Sequence, residues 1–337
     1  MATLSATNPT LLDLARVTDP NGSIAAVAEV MNETNDILED MTWIEGNLTT
    51  GHQSSIRAGL PTPTWRKMYG GIQPTKSLTA KVVDSCGMLE AMSEVDKALA
   101  DLNGNSAAWR LSEDLPHIEG ISQEIADTLF YGNEGTEPEA FTGLAPRYNS
   151  LSAANGENII NAGGAGSDNA SIWLVVWSPN TIHGIVPKGS KAGLQVTNLG
   201  ECVIENVDGA GGRMRAYRSH YRFDAGLTVR DWRFGVRIAN IDKSLLTNVF
   251  TSGAFSTGAH LPDLMFQALR KIPNLSRGRP VFYASRDIIT WISRQTAAAV
   301  HQSTLTAEMV GGKLRESFHG IPIRRCDALS ADEATVS

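Results

Sequence analysis

Residues Ser171–Gly193 read SIWLVVWSPNTIHGIVPKGSKAG, and their pattern decides the kind of fold. From Ile172 to Trp177 every position is apolar. A strand with one wet face alternates apolar with polar residues, so this unbroken run, closed by Ser-Pro-Asn, reads as a strand covered on both faces. HGIVPKGSKAGLQV (183–196) continues as extended chain, as do GRMRAYRSHYRFD (212–224) and LTVRDWRFGVRIA (227–239), each set off by glycine-rich turns. A β-rich lobe therefore begins at Ser171.

Helical periodicity lies on both sides of it. Downstream, the spacing predicts a helix over Leu261–Ile272, a strand in PVFYA (280–284), a helix capped by Ser285 in RDIITWISRQTAAAV (286–300), and a last strand over Phe318–Cys326. Upstream, Leu111, Leu115, Ile118, Ile121, Ile125 and Leu129 keep a three/four spacing through a long helix over Ser106–Tyr131. Pro116 would remove a hydrogen bond from its interior, which predicts a helix start or a kink there. A shorter helix is predicted over Ser93–Leu102, with Val95, Leu99 and Leu102 on one face and Asn103-Gly104 as its stop. NGENIINAGGAGSD (155–168) reads as a mobile, glycine-rich connection. The fold class is α+β, helices at both ends and strands between.

Charge is segregated near the N-terminus. After the cap signal Asp19-Pro20-Asn21-Gly22-Ser23, the apolar positions Ile24, Val27, Val30, Met31, Ile37, Leu38 and Met41 predict an amphipathic helix whose other face carries Glu29, Glu33, Asp36, Glu39 and Asp40. From Asp19 to Ile56 there are seven acids and no base; from Arg57 to Val83 there are five bases, Arg57, Arg66, Lys67, Lys76 and Lys81, and no acid. The basic stretch alternates weakly around the turn-rich tip PTPTWRKMYGGIQP (61–74), which contains Trp65, Met68 and Tyr69. It reads as a long hairpin, and a lone two-stranded ribbon with so little apolar content needs a partner surface. A neighbouring copy's acidic helix has the right charge, although a plain solvated face is the alternative.

The 337 residues carry a formal charge of −7, against the basic face of a protein that grips phosphate backbones. No run of eighteen apolar residues and no basic, apolar leader is present, so the chain is expected to stay in the cytoplasm where it is made. Cys86, Cys202 and Cys326 are widely spaced, each expected as a small buried hydrophobe rather than a disulfide or zinc ligand. Gly184–Lys191 (GIVPKGSK) has Ser before Lys and so fails the phosphate-loop order. The seven histidines show no metal-binding spacing, and no serine sits in a GxSxG elbow. No catalytic residue, metal or cofactor is indicated.

Arginines alternate with aromatics at Arg213, Arg215, Tyr217, Arg218, Tyr221, Arg222, Trp232, Arg233, Phe234 and Arg237. Two readings stand: a platform for DNA, centred on Arg213, Arg215, Arg218 and Arg222, or a polar strand face paired with Asp208, Asp224, Asp231 or a neighbour's acids. The second is favoured, because Trp232, Phe234, Val236 and Ile238 alternate as a buried face and leave Arg233 and Arg237 on the other side.

Taken in order, the acidic N-terminal arm, the basic hairpin, the long helix ending LFYGN, the link FTGLAPRYNS, the block Ser171–Gly193, the pair PVFYASRDIITWI and the ending FHGIPIRRCDAL resemble major capsid proteins of short-tailed, double-stranded-DNA phages, of the HK97-like lineage. The resemblance covers the chain from about Leu11. It implies an N-terminal arm (1–50), an extended loop (51–86), a peripheral domain with a spine helix (87–140), a β-rich axial domain (141–312) and a returning C-terminal strand (313–337). It implies a shell of hexamers and pentamers in the virion, assembled in the host cytoplasm around non-specifically held DNA, with a portal and in some shells a decoration protein as partners. Some relatives join a loop lysine to a neighbour's asparagine, but no such asparagine is assigned beside Lys67 or Lys76. Others begin with a long cleaved scaffolding segment, whereas here the arm starts near Met1, which implies a separate scaffolding protein. A nanocompartment shell of the encapsulin kind shares the fold and is the alternative; an oligomeric enzyme is a more distant one.

Overall fold

The structure, a computed structural model, describes residues 35–102, 106–205, 211–247, 250–251, 254–255, 257–298, 305–310 and 313–337. In chain order the elements are α1 (Ile37–Asp40), β1 (Trp43–Glu45), β2 (Gly51–Gly59), β3 (Leu78–Asp96), α2 (Lys97–Ala100), α3 (Ser106–Tyr131), α4 (Leu144–Arg147), β4 (Ile159–Asn161), β5 (Asn169–Trp177), β6 (Ile182–Val186), β7 (Gln195–Glu205), β8 (Arg213–Val229), β9 (Gly235–Asp242), β10 (Phe250–Thr251), β11 (Ala254–Phe255), α5 (Leu261–Lys271), β12 (Arg279–Ala284), α6 (Arg286–Ala298), β13 (Leu305–Val310), β14 (Lys313–Phe318) and β15 (Ile321–Arg325). They group into a body (34–87, 126–190 and 225–337) and a second unit containing 88–125 and 191–224.

The body is built around β5, buried at all nine positions. β12 and β9 flank it, both antiparallel. β15, β14 and β13 extend the sheet beyond β12, and β4 lies parallel to β9. β6 follows β5 and pairs with β1 and with the end of β8. Ile172, Leu174 and Val176 join Phe234 directly before β9, Val236 and Ile238 of β9, Met265 of α5, and Ile288 and Ile292 of α6 in one apolar core. On the other face, Trp173 meets Phe130 and Tyr148 at centroid distances of 6.2 and 5.7 Å, and the Trp177 indole donates to the Tyr283 hydroxyl at 2.8 Å. An apolar face towards helices and an aromatic face towards α3 explain why the β5 sequence never alternates.

In the second unit β7 pairs antiparallel with β8, and β3 lies next to β8. The first part of α3 packs here through Trp109, which is buried with Val95 and Ala100 against Leu99 and Tyr217.

Several expectations are corrected. The helix predicted over Ile24–Met41 lies mostly outside the described residues, and its end is only the single turn α1. Asn35 instead forms a bridge with Cys326, and the Asp36 amide donates to the Arg325 carbonyl, so tertiary bonding replaces helical bonding there. The helix predicted from Ser93 is strand as far as Asp96, whose carboxylate caps the one-turn α2 by accepting from the Ala98 amide at 2.8 Å. Alternation of buried Ser93 and Val95 with the more exposed Glu94 and Asp96 decides for the strand. Pro116 lies well inside α3, with residues 106–115 before it and 117–131 after it, not at a helix start. It is exposed, so the carbonyl deprived of a donor is on the wet side of the helix.

The glycine-rich connection contains the short strand β4. Ile159 and Ile160 pair parallel with Arg237 and Ile238, and a Cβ added at Gly164 would lie 2.5 Å from the Asn240 carbonyl. Its glycines allow close packing. The predicted last strand is two strands turning at His319 and Gly320, both at positive φ. Ser285 precedes α6 as predicted, but its hydroxyl caps nothing. Only Cys326 is buried; Cys86 and Cys202 are half-buried.

Candidate assembly surface

The basic segment folds as the hairpin of β2 and the first part of β3, in register from Gly51 with Ser85 to Arg57 with Thr79 and shifted by one residue before Gly59 pairs with Leu78. Its root is fixed. A Cβ at Gly51 would lie 2.1 Å from the Asp84 carbonyl oxygen, and the Asn47 side chain exchanges two 2.7 Å hydrogen bonds with the Gln53 backbone. Arg147 donates to the buried Asp84 carboxylate at 2.8 Å and to the carbonyls of Thr142 and Leu227.

The tip has no such support. Trp65 is 100% exposed and Met68 92%, with Leu60, Tyr69 and Ile72 also exposed. Arg57, Arg66, Lys67, Lys76 and Lys81 are all exposed, and none forms an ion pair among the described residues. These aromatic side chains stand in water on a ribbon too thin to shelter them.

The acidic residues are disposed differently from the expectation. Glu29 and Glu33 lie outside the described residues. Asp40 is buried, accepting from Arg279 at 2.5 Å and from the Tyr283 hydroxyl at 3.2 Å, with Arg324 at 3.3 Å. Burial raises its pKa despite the two arginines. Asp36 also faces Arg324, at 3.8 Å. These two carboxylates are engaged within the chain, and of the described acids predicted on the helix face Glu39 is the exposed one.

The arginine stripe is engaged too. Arg213 pairs with Glu205 at 2.9 Å, Arg215 with Glu201 at 2.8 Å and Arg218 with Glu94, while Arg222 grips Asp224 through two nitrogens at 2.9 and 3.1 Å. Asp224 and Asp231, expected as partners, hold Arg222 and Arg233; Asp208 lies outside the described residues.

Arg237 corrects the expectation of a polar outer face on β9. It is 4% exposed and donates to Glu333 at 2.8 Å, to the Ser171 hydroxyl at 3.1 Å and to the Tyr148 carbonyl at 2.9 Å. Glu333 also accepts from Tyr131 at 2.6 Å. No sequence signal joined Arg237 to Glu333, because their segments are neighbours only in the fold. The histidines are not all solitary either. His52 of β2 and His183 of β6 meet edge to face at 5.8 Å, and burial, then His52 and Arg230, push the His183 pKa down to about 4. Among the described residues no three metal-ligating side chains cluster.

Among the described residues the body has a complete core while the hairpin tip stands uncovered. The chain belongs to the family described as major capsid protein GP7, whose family model matches residues 19–337. It is similar to a chain in the structure of bacteriophage epsilon15, with 38% identity, a TM-score of 0.77 and all of both chains covered. Matches with capsids of a native GTA particle (10% identity, TM-score 0.44, covering 66% of this chain and 95% of that one) and with the encapsulin of Synechococcus elongatus PCC 7942 (10%, 0.40, 65% and 91%) are more remote. No curated protein matches. The protein is a structural subunit of a phage head and resides in the capsid. No helix among the described residues is long and apolar enough to cross a membrane.

Proposed function

We propose that this subunit closes its shell as hexamers and pentamers by laying the hairpin across an adjacent copy. The hairpin over 51–86 serves as the extended loop, α3 as the spine of a peripheral domain over 87–140, and the β-rich stretch 141–312 as the axial domain. The supporting observation is the contrast between the braced root and the exposed tip, with Trp65, Met68 and Tyr69 in water. Glu39, with Glu29 and Glu33, supplies acid for the hairpin's bases; Asp36 and Asp40 act through the chain's own arginines instead. A separate scaffolding protein, a portal and non-specific contact with packaged DNA complete this reading. The arginines 213, 215, 218 and 222 serve the subunit's own sheet.

Negative-stain microscopy of the protein expressed alone and with its flanking genes tests it. Closed particles are expected from wild type, and folded, unassembled protein from a Trp65→Ala, Met68→Ala, Tyr69→Ala variant. Normal shells from that variant would show that the tip carries no contact.

A further inference from the structure

Against the outer half of β2 lies a cleft of about 640 Å³ lined by Ser55, Arg57, Asn180, Arg230, Trp232 and Arg233. Arg233 is spent on Asp231, through bonds of 2.9 and 2.8 Å. Arg57 and Arg230 reach no acid among the described residues, although Arg230 donates to the Asn180 side chain at 3.3 Å. Three cations thus face one carboxylate, in a recess walled by an indole.

Elsewhere on the body, the loop after α3 has the opposite character. Residues Asn133–Ala140 read NEGTEPEA, and Glu134, Glu137 and Glu139 are all exposed. The loop is a braced knob: the Thr136 and Glu137 amides donate to the Asn133 carbonyl, the Gly135 amide to its side chain, and the Ala140 amide to the Glu137 carbonyl. Glu134 accepts from Ser85, whereas Glu137 and Glu139 meet no cation among the described residues.

We propose that the acidic knob of one copy seats in the arginine cleft of the next, its Glu137 and Glu139 carboxylates between Arg57 and Arg230. Every copy carries both halves, so each can offer its knob to one neighbour and its cleft to another, a head-to-tail contact of the kind that closes rings. A guanidinium fork takes a carboxylate through two parallel hydrogen bonds, and both partners are pre-shaped, so little order is lost on contact. The recess holds several side chains. This inference rests on the capsid reading and supplies it with a second contact, independent of the hairpin tip.

The test uses the full chain, expressed with its flanking genes. Arg57→Glu with Arg230→Glu, and separately Glu137→Arg with Glu139→Arg, are expected to lower the yield of sedimenting shells at low salt by about ten-fold. All four changes in one chain should restore most of it. Circular dichroism and melting follow the fold of each variant, and Gln at the same positions replaces any reversal that misfolds. A combined variant no better than either half overturns the pairing. So does an arginine reversal that leaves shell yield intact but reduces nuclease-protected DNA, for the cleft would then hold phosphates. Absence of particles from wild type would strike the capsid reading itself and this inference with it.

Discussion

Arg237 shows what a single residue can carry here. Its guanidinium is buried against Glu333, so removing either partner strands a charge away from water, a loss of about 3–5 kcal/mol. Arg237→Ala and Glu333→Gln should each lower stability by that order in urea unfolding, and the double variant should lose less than the sum. His183 gives a pH signature. Its folded pKa of about 4 lies below the ordinary histidine value, so the unfolded chain binds the extra proton. The stability that His183 contributes is therefore whole above about pH 6.5 and declines as pH falls towards 4. His183→Gln should flatten the melting temperature over that window; an unchanged acid slope would assign it to other groups. Neither feature was legible in the sequence. Arg237 could be placed opposite a buried face by period-two spacing, but burial of that second side depends on a segment almost a hundred residues away. Likewise, His52 and His183 are joined by strands distant in the chain, and no spacing rule reaches so far.

Elements were read well where one periodicity dominated. β5 was clear from its unbroken apolar run, and α5, β12 and α6 lie close to their predicted spans. The reading failed where two periodicities overlap, as at Ser93–Leu102, and where tertiary bonds replace local ones, as at Asn35. Pro116, expected at a helix start or a kink, is not at a helix start, and an exposed proline costs a long, well-anchored helix only part of its stability. The tighter packing of α3 beyond it, through Ile125, Leu129 and Phe130, offsets the missing bond. Pro116→Ala should raise stability by up to about 3 kcal/mol, the helix-interior difference between the two residues, measured by urea unfolding of the full chain. A destabilised variant would mean that the proline shapes the helix its surroundings require.

At the scale of the whole molecule, net charge misleads. The chain is acidic overall, yet among the described residues five bases without an ion pair line the hairpin, with Arg230 beside its β2 strand, and Glu137 and Glu139 stand without a cation on the knob after α3. Fields of this kind act mainly on encounter, and their reach is about one Debye length, roughly 10 Å at 0.1 M salt. The initial rate of assembly should thus fall several-fold between about 0.05 and 0.5 M sodium chloride, followed by light scattering, while finished shells lose little. A rate indifferent to salt would leave the apolar tip as the sole driving contact.

Trp65 also gives the protein an optical reporter of its own. Trp109, Trp173 and Trp177 are already shielded, whereas the Trp65 indole stands wholly in water, so the proposed seating of the hairpin should change its surroundings. Its emission should shift to shorter wavelength as particles close, and subtraction of a Trp65→Phe signal would isolate it. Shell formation could then be timed in a cuvette, without label or microscope, one hairpin landing at a time.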